Sequence, residues 1–389
     1  MSVDDAERHA RAALARLFEP GRHDVHAAVG RYGAEAVWRA VRSGGPAPDL
    51  LPRALAGARH RMAGYDPRRD LDALARLGAR QLCPGDDEWP AARLSWEPPT
   101  LEDAPPLSLH VRGAVRLSDA CLRSVAVVGA RAASAYGLLV ARELSFALTE
   151  RGWGVVSGAA HGIDGAAHTG ALASGAAPTV AVLACGLDRS YPEGHTGLLR
   201  RIAETGLVVS ELPVGSAPSR GRFLVRNRLI AALSVGTVAV EAAGRSGSLA
   251  TVQRAVDLTR PTMAVPGPIT STTSAGTNQL LRDGSRCVTC AADVLAEVGA
   301  VDATNEVEPE REHRVRDDLS AAARSVLDAV PVRASAGIAG IARAAGVTPL
   351  VVQQVLPPLV LHGLVEQTDD GFRLTPLGAG RPARRPRSG

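Results

Sequence analysis

The spacing of apolar residues changes along the chain and divides it into three regions. Up to about residue 65, apolar positions recur at helical spacing in short segments that are interrupted at Pro20-Gly21 and Gly44-Gly45-Pro46. From Ser124 to about residue 299, apolar runs alternate with helical windows. The runs lie at 125–129, 154–158, 179–186, 207–211, 237–241 and 263–267. Fully apolar strands that alternate with helices are typical of a parallel sheet covered on both faces, so we predict a Rossmann-like α/β domain over residues 70–300.

The third region follows a charged, aperiodic stretch at 301–316, which predicts a linker. Three helical segments come next, and residues 363–374 have the pattern of a β-hairpin. Three helices and a hairpin predict a winged helix over 317–377, and the Arg-rich residues 378–389 predict a disordered basic tail. The predicted fold is therefore α/β, a Rossmann-like parallel sheet with a small N-terminal helical domain at 1–65 and a C-terminal winged helix.

A winged helix reads duplex DNA through a recognition helix that enters the major groove. The helix predicted for that place, Pro349–Leu361, carries no Arg. We therefore favour a protein contact over a duplex-reading role for this domain.

Composition limits the functions that the chain can perform. It has 389 residues, 46% of them hydrophobic, which is enough for two or three domains with full cores. The formal net charge of +4 is compatible with an anionic partner but does not show one. Every basic residue is Arg and none is Lys, which excludes a Schiff base and a Walker lysine. Phosphate binding must then use Arg, hydroxyls and backbone amides.

Cysteines and histidines give little reason to expect a cofactor. The five cysteines are odd in number and scattered, which argues against a disulfide framework. Cys287 and Cys290 have the spacing of a redox or half-zinc motif, but no second pair accompanies them and we favour a structural role. His161, Asp164 and His168 lack an evident fourth ligand, so we predict neither a metal nor another cofactor. With no secretion signal and no apolar run of membrane-spanning length, we expect a cytoplasmic protein without a membrane partner.

The turn after the first strand is a candidate ligand site, because open parallel sheets bind ligands beyond the carboxyl ends of their strands. It contains Gly129, Arg131 and Ser134. Arg131 and Ser134 stand where the G-x-G-x-x-G fingerprint needs glycine, so NAD is not expected. Arg131 has little structural reason to lie in a turn, and we favour a ligand contact. Ser134 either caps the following helix or contacts a phosphate.

A second candidate cluster, rich in Arg, lies just before an apolar helix. Its members are Arg220, Arg222, Phe223, Arg226, Asn227 and Arg228. Guanidinium groups bind phosphate and an aromatic face stacks a base. Each of these Arg side chains has an alternative role as an ion-pair partner of Glu211 or Glu241, and Phe223 has an alternative place in the core. Burying the whole set of cations without anions would be too costly, which favours binding for the set.

A Ser-Gly-Ser turn forms the third candidate site. Ser246, Gly247 and Ser248 begin a helix directly after a strand, a geometry that either only caps the helix or also receives a phosphate. Glu241 precedes this turn, so a nucleotide-processing hydrolase is the chief alternative to a nucleic-acid binder. A Rossmann-like module that senses a small nucleotide is a third hypothesis.

Several motifs in one order resemble the DNA-processing protein A (DprA/Smf) family over about residues 70–300. They are Val127-Val-Gly-Ala-Arg131, Ser134-Ala-Tyr-Gly137, Val156-Ser-Gly158, Gly162-Ile-Asp164 with His168, Phe223 with Arg226-Asn-Arg228, Glu241-Ala, Ser246-Gly-Ser248, Val265-Pro-Gly267 and Gly276-Thr-Asn-Gln-Leu. The resemblance implies a cytosolic homodimer that binds single-stranded DNA during natural transformation and hands it to the RecA recombinase. It also implies DNA contacts by a turn arginine, a basic residue before an aromatic, and that aromatic, which correspond here to Arg131, Arg220 and Phe223.

We therefore predict a non-enzymatic protein that binds single-stranded DNA. Arg131, Arg220 and Arg226 or Arg228 would contact phosphates, and Phe223 would stack a base. The turns at Gly129 and Ser246 would donate backbone N–H groups.

Overall fold

The computed structural model describes residues 3–376 apart from 45–48, 63, 97–100, 102, 300–318 and 333. The chain forms two compact units, Met1–Thr304 and Asn305–Gly389. The predicted linker at 301–316 and the predicted tail at 378–389 lie outside the described residues. The predicted domains at 1–65 and 70–300 both fall within the first unit.

Five helices open the first unit. They are α1 (Asp5–Leu17), α2 (His23–Tyr32), α3 (Ala34–Ser43), α4 (Pro52–Arg61) and α5 (Pro67–Arg76). The first four share a core in which Leu14, Leu17 and Trp38 are buried, as their helical spacing predicts. Arg16 of α1 pairs with Asp70 of α5 through both carboxylate oxygens, which joins α1 to α5.

A nine-stranded sheet forms the body of this unit. Its strands are β1 (Ala79–Leu82), β2 (Leu109–Arg112), β3 (Ser124–Val128), β4 (Gly154–Ser157), β5 (Thr179–Leu183), β6 (Leu207–Ser210), β7 (Gly236–Ala239), β8 (Thr262–Ala264) and β9 (Arg286–Cys287). They lie in the order β1-β2-β6-β5-β4-β3-β7-β8-β9. β2 pairs antiparallel with both β1 and β6, and all other pairs are parallel. The predicted Rossmann-like parallel sheet is confirmed.

Helices cover both faces of the sheet. They are α6 (Ala91–Leu94), α7 (Leu117–Leu122), α8 (Ala135–Glu150), α9 (Ile163–Ser174), α10 (Thr196–Thr205), α11 (Arg220–Ala232), α12 (Gly247–Asp257), α13 (Ala275–Arg282) and α14 (Ala291–Val298). Two large apolar clusters form the core, one with α7 and α11 and the other with α8, α9 and α14. Strand residues such as Val125 and Ala126 are fully buried, which explains why these strands are apolar throughout.

Strand order fixes where a ligand site is expected. After β3 the chain adds β4, β5 and β6 on one side, and it then returns to place β7, β8 and β9 on the other side of β3. The connections that follow β3 and β7 therefore leave the sheet in opposite directions. Ligands of open α/β sheets bind in the crevice that forms at such a switch point.

The second unit is small and mixed in structure. It contains α15 (Ala321–Ala329), α16 (Ile338–Ala345), α17 (Pro349–Leu361), β10 (Val365–Thr368) and β11 (Gly371–Leu374). The two strands form an antiparallel hairpin, and Ala336 adds a single bridge to Phe372. Three helices and a hairpin are thus present around one core, and their assignment as a winged helix stays a prediction.

Of the helices described, none taken singly has the length and apolar character needed to cross a membrane. The bent pair α16 and α17, at 104° to each other, meets the criterion only when the two are joined.

Candidate nucleic-acid interface

A cleft of about 900 Å³ opens at the switch point between β3 and β7. Its walls are the turn after β3, the first half of α11, and the turn that leads into α12. The predicted site residues that line it are Gly129, Arg131, Arg220, Phe223, Arg226, Asn227, Ser246, Gly247 and Ser248. The structure therefore brings together three segments that are far apart in the sequence.

The buried carboxylate of Glu241 holds the rim of the cleft together. It accepts hydrogen bonds from the Ser134 backbone N–H at 2.8 Å, the Ser134 hydroxyl at 2.6 Å and the Thr273 hydroxyl at 3.0 Å. The Ser134 Oγ also accepts from the Gly137 N–H at 3.1 Å and so caps α8. Because Ser134 serves the cap and Glu241 and does not line the cleft, the structure favours its capping role over a phosphate contact.

Two glycines allow the turns after β3 and β4 to pack against each other. A Cβ on Gly129 would lie 2.5 Å from the Ile163 side chain and 2.8 Å from the Glu241 carbonyl oxygen. A Cβ on Gly162, which has φ +78°, would lie 2.2 Å from the Ala130 carbonyl oxygen. Gly129 is thus required by close packing of the rim, independently of any ligand.

Phe223 is the aromatic centre of the cleft. Its ring is half-buried, and the exposed Arg131 guanidinium lies over it at 4.7 Å from the ring centroid. The ring of Tyr191, also a cleft residue, lies 5.3 Å from that of Phe223 at an interplanar angle of 50°. Cation–π and aromatic contacts of this kind keep planar groups in place, and aromatic rings in the lining of a cleft are groups on which nucleobases stack.

Arg226 supports Phe223 from the interior. It is 7% exposed, and its Nη1 donates to the carbonyl oxygens of Gly158, at 2.8 Å, and Val182. Its guanidinium carbon lies 5.8 Å from the Phe223 centroid. Burial lowers the pKa of Arg226 to about 10, with Asp164 acting in the opposite direction. Arg226 therefore positions the aromatic ring and the ends of β4 and β5, and it offers the cleft little surface for a phosphate.

Asn227 joins α11 to the beginning of α12. Its side-chain amide donates to the Gly247 carbonyl oxygen at 3.2 Å. Asn227 is 7% exposed although it lines the cleft. This contact sets the distance between the aromatic wall and the Ser-Gly-Ser wall.

Arg228 does not reach the cleft, which corrects its assignment as a DNA contact. Its side chain is fully buried, and its Nη2 lies 2.8 Å from both carboxylate oxygens of Glu211. Its guanidinium also lies 5.8 Å from the Trp96 ring centroid. Five positions along a helix correspond to a rotation of about 140°, so Arg228 faces the interior when Phe223 faces the cleft.

The open side of the cleft carries exposed Arg side chains. Arg220 is the first residue of α11, and Arg245 lies in the turn before α12. Arg222, close to Arg220 in the chain, is instead bound to Glu19 through two hydrogen bonds of 2.9 and 2.7 Å. This pair, which lowers the pKa of Glu19, fastens the start of α11 to the N-terminal helices.

The beginning of α12 forms the wall opposite the aromatic ring. Ser246 is its N-cap, with its Oγ accepting from the Ser248 N–H at 3.4 Å and lying 2.7 Å from the Ser248 Oγ. The capping role is therefore present in the structure. The first turn of α12 also lines the cleft, so the positive end of the helix dipole faces the space that an anion would enter.

Arg245 and Tyr191 are among the cleft residues that sequence reasoning did not find. Arg245 lies within the turn that contains Ser246, so its charge and position were available in the sequence. Tyr191 gives no comparable indication, because it lies 32 positions before Phe223 in a segment without a recognisable motif.

His161, in the turn after β4, and His168, in α9, both have partners within the protein. His168 is fully buried, its Nδ1 lies 2.7 Å from the Thr179 hydroxyl, and burial lowers its pKa to about 3. The His161 ring lies edge-to-face with the His195 ring, with centroids 4.8 Å apart. In the part of the chain that the structure describes, no three His, Cys, Asp or Glu side chains are grouped to hold a metal ion.

A family model described as DNA recombination-mediator protein A matches residues 80–299, which include the cleft and nearly the whole sheet. The chain belongs to this family. It is 42% identical to a putative DNA processing protein DprA of Mycobacterium tuberculosis over 384 residues, 97% of each chain. It is 41% identical to the DNA processing protein DprA of Streptococcus pneumoniae over 202 residues, 52% of this chain and 70% of that one.

A solved structure agrees with this assignment. The crystal structure of DNA processing protein A from Streptococcus pneumoniae aligns over all of its chain and 77% of this one, with a TM-score of 0.61 and 31% identity. The resemblance to the DprA/Smf family is thus confirmed. The cleft lies within the segment that the family model matches.

Proposed function

We propose that the cleft binds single-stranded DNA. The observation that carries the proposal is the grouping of exposed Arg131, Arg220 and Arg245 around the half-buried ring of Phe223 at the switch point of the sheet. Guanidinium groups neutralise backbone phosphates, and the ring offers a surface to one base at a time. Membership of a DNA recombination-mediator family supports DNA as the anion.

An unpaired strand fits this arrangement better than a duplex does. The rings of Phe223 and Tyr191 can stack only against a base that is not already stacked within a duplex. Duplex recognition needs an element that enters a groove and reads base edges, and the walls of the cleft are turns and helix ends around a recess.

A binding measurement tests the proposal directly. Fluorescence anisotropy with a labelled oligothymidylate, repeated with the matching duplex across a salt series, compares the two ligands. We expect tighter binding of the single strand, with an affinity that falls as salt rises. Equal or tighter binding of the duplex, or binding that does not depend on salt, would contradict the proposal.

We propose no catalytic step for the cleft. A nucleotide hydrolase of similar outline would use the carboxylate that precedes the Ser-Gly-Ser turn, and here Glu241 is buried and engaged by Ser134 and Thr273. Incubation with nucleoside monophosphates should release no free base. Saturable binding of mononucleotides, with no preference for oligonucleotides, would instead favour a nucleotide sensor.

The role of the bound strand is proposed from the family resemblance. A homodimer in the cytosol would protect incoming DNA during natural transformation and load the RecA recombinase onto it. Light scattering measures the oligomeric state, and RecA-dependent strand exchange on DNA covered by a single-strand binding protein measures loading. RecA loading should require a cleft that binds DNA, so the variant Phe223→Ala should impair DNA binding and RecA loading together.

A further inference from the structure

A second concave basic surface lies on the N-terminal helices. This α4 groove, of about 400 Å³, is lined by Arg22, Leu51, Arg53, Ala54, Gly57 and Arg61. Three of its six lining residues are Arg. The predicted site residues do not include any of them, and α4 contains no acidic residue.

Two of these Arg side chains retain donors for a ligand. Arg53 is exposed and has no ion-pair or hydrogen-bond partner among the described residues. Arg61 is exposed and donates from Nη2 to the Leu17 carbonyl oxygen, and its other nitrogens have no hydrogen-bond or ion-pair partner among the described residues. Arg22 is paired with Asp24 by two hydrogen bonds of 2.9 and 2.6 Å, so it contributes shape more than net charge.

A series of Arg side chains connects this groove with the cleft. Arg220 lies on the cleft wall, and Arg222, two positions further along α11, binds Glu19. Arg61 is near enough to Glu19 to help lower the pKa of that carboxyl, after the larger effect of the Arg222 hydrogen bond. These residues thus form a path that leads from the cleft, past the end of α1, to the α4 groove.

Charge along this path is positive on balance. It contains Arg220, Arg222, Arg61, Arg53 and Arg22, against the carboxylates of Glu19 and Asp24. A polyanion that leaves the cleft past Arg220 gains contacts by following it, since each neutralised phosphate releases bound counterions.

We propose that the α4 groove is a phosphate-binding subsite that extends the single-stranded DNA track beyond the cleft. This inference rests on the proposed function of the cleft. A short oligonucleotide fills only the cleft, whereas a longer one also places backbone phosphates at Arg53 and Arg61. The subsite carries no aromatic platform in its lining, so it binds the backbone without regard to base.

The test is the dependence of binding on strand length. Oligothymidylates from about 4 to about 30 nucleotides are titrated against the full chain and the variants Arg53→Ala, Arg53→Glu and Arg131→Ala. Arg39→Ala is the matched control, because Arg39 is an exposed Arg of neighbouring α3 that lies outside the groove and pairs with Glu35. Circular dichroism melts confirm that each variant is folded.

For long strands, Arg53→Ala should weaken binding several-fold and reduce the salt slope by about 0.7, and Arg53→Glu should weaken it further. For the shortest strands that bind, both variants should equal the unaltered chain, as Arg39→Ala should at every length. Arg131→Ala should weaken binding at all lengths.

The Arg53 and Arg131 variants distinguish a groove that is not a subsite from a cleft that is not the DNA site. If the Arg53 variants leave long strands unaffected while Arg131→Ala weakens all of them, the groove is not a subsite and the cleft remains the site. If the Arg53 variants weaken short and long strands equally, the groove does not extend the track and the inference is also wrong. If Arg131→Ala changes nothing at any length, the proposed function of the cleft fails, and the extension fails with it.

Discussion

The two faces of α11 use the same residue type for opposite purposes. On the interior face, Arg228 is fully buried and paired with Glu211. On the open face, Arg220 is exposed beside Phe223 and the cleft. Arg density alone therefore does not mark a nucleic-acid surface. What distinguishes the two faces is that Arg228 has a carboxylate partner in the protein, whereas Arg220 has no ion-pair partner among the described residues.

Breaking the buried ion pair between Arg228 and Glu211 should have the largest effect, a loss of stability. Replacing Glu211 by Leu leaves the Arg228 guanidinium buried without its anion, and we expect the free energy of unfolding to fall by about 3–5 kcal/mol. Urea unfolding followed by circular dichroism measures the loss. The double variant Glu211→Leu with Arg228→Met should recover much of it, because no isolated charge remains. A single variant as stable as the unaltered chain would mean that Arg228 finds other acceptors.

Phe223 tests the open face. Phe223→Ala should weaken oligothymidylate binding by roughly 1–3 kcal/mol if the ring stacks a base. The variant Phe223→Trp keeps a stacking surface and serves as the control, and it should bind nearly as well as the unaltered chain. Affinity is measured by fluorescence anisotropy. Unchanged affinity in Phe223→Ala would remove the stacking role.

Ser134 lies on the rim of the cleft and belongs to neither face of α11. We expect it to stabilise the protein and not to contact DNA. Ser134→Ala removes the cap of α8 and one hydroxyl donor to Glu241, so we expect the free energy of unfolding to fall by about 1 kcal/mol. The slope of log affinity against log salt should stay unchanged. Ser134→Thr retains the hydroxyl and should be nearly as stable as the unaltered chain. A reduced salt slope in Ser134→Ala would instead show a phosphate contact.

Removing the Arg245 side chain should have the smallest effect of these changes, on the salt dependence of DNA binding. Arg245→Ala should lower the salt slope for single strands by about 0.7 and leave the melting temperature unchanged, since the side chain is exposed. Anisotropy titrations at several salt concentrations measure the slope. Arg39→Ala, which removes the same charge elsewhere, controls for net charge. Identical slopes for both variants would exclude Arg245 from the binding surface.

The sheet could be predicted because buried parallel strands must be apolar throughout, and each such run gave a strand. The turns after β3 and β7 could be placed at the site for a similar reason, since the carboxyl ends of parallel strands meet at one edge of the sheet. Arg131 stood out because it has little structural reason to lie in a turn, and Phe223 stood out because it lies between segments that carry Arg residues. In the structure, the guanidinium carbon of Arg131 lies 4.7 Å from the ring centroid of Phe223, so the two residues lie in one group.

The orientation of the Arg residues on α11 could not be predicted in the same way. Arg226 and Arg228 look alike in sequence, and only the packing of α11 on the sheet decides that Arg228 meets Glu211. Tyr191 contacts Phe223 from a position 32 residues earlier in the chain. Side-chain partners that are far apart in the chain require the tertiary structure.

The hydrogen bonds that Glu241 accepts at the rim of the cleft have a consequence for the kinetics of DNA binding. One carboxylate joins the segment at Ser134 to that at Thr273, and its own backbone belongs to the turn after β7. A recess whose walls are already fixed loses little conformational entropy when it is occupied. Encounter with a flexible polyanion should then be limited by diffusion and ionic steering, and the ordering cost should fall on the polyanion.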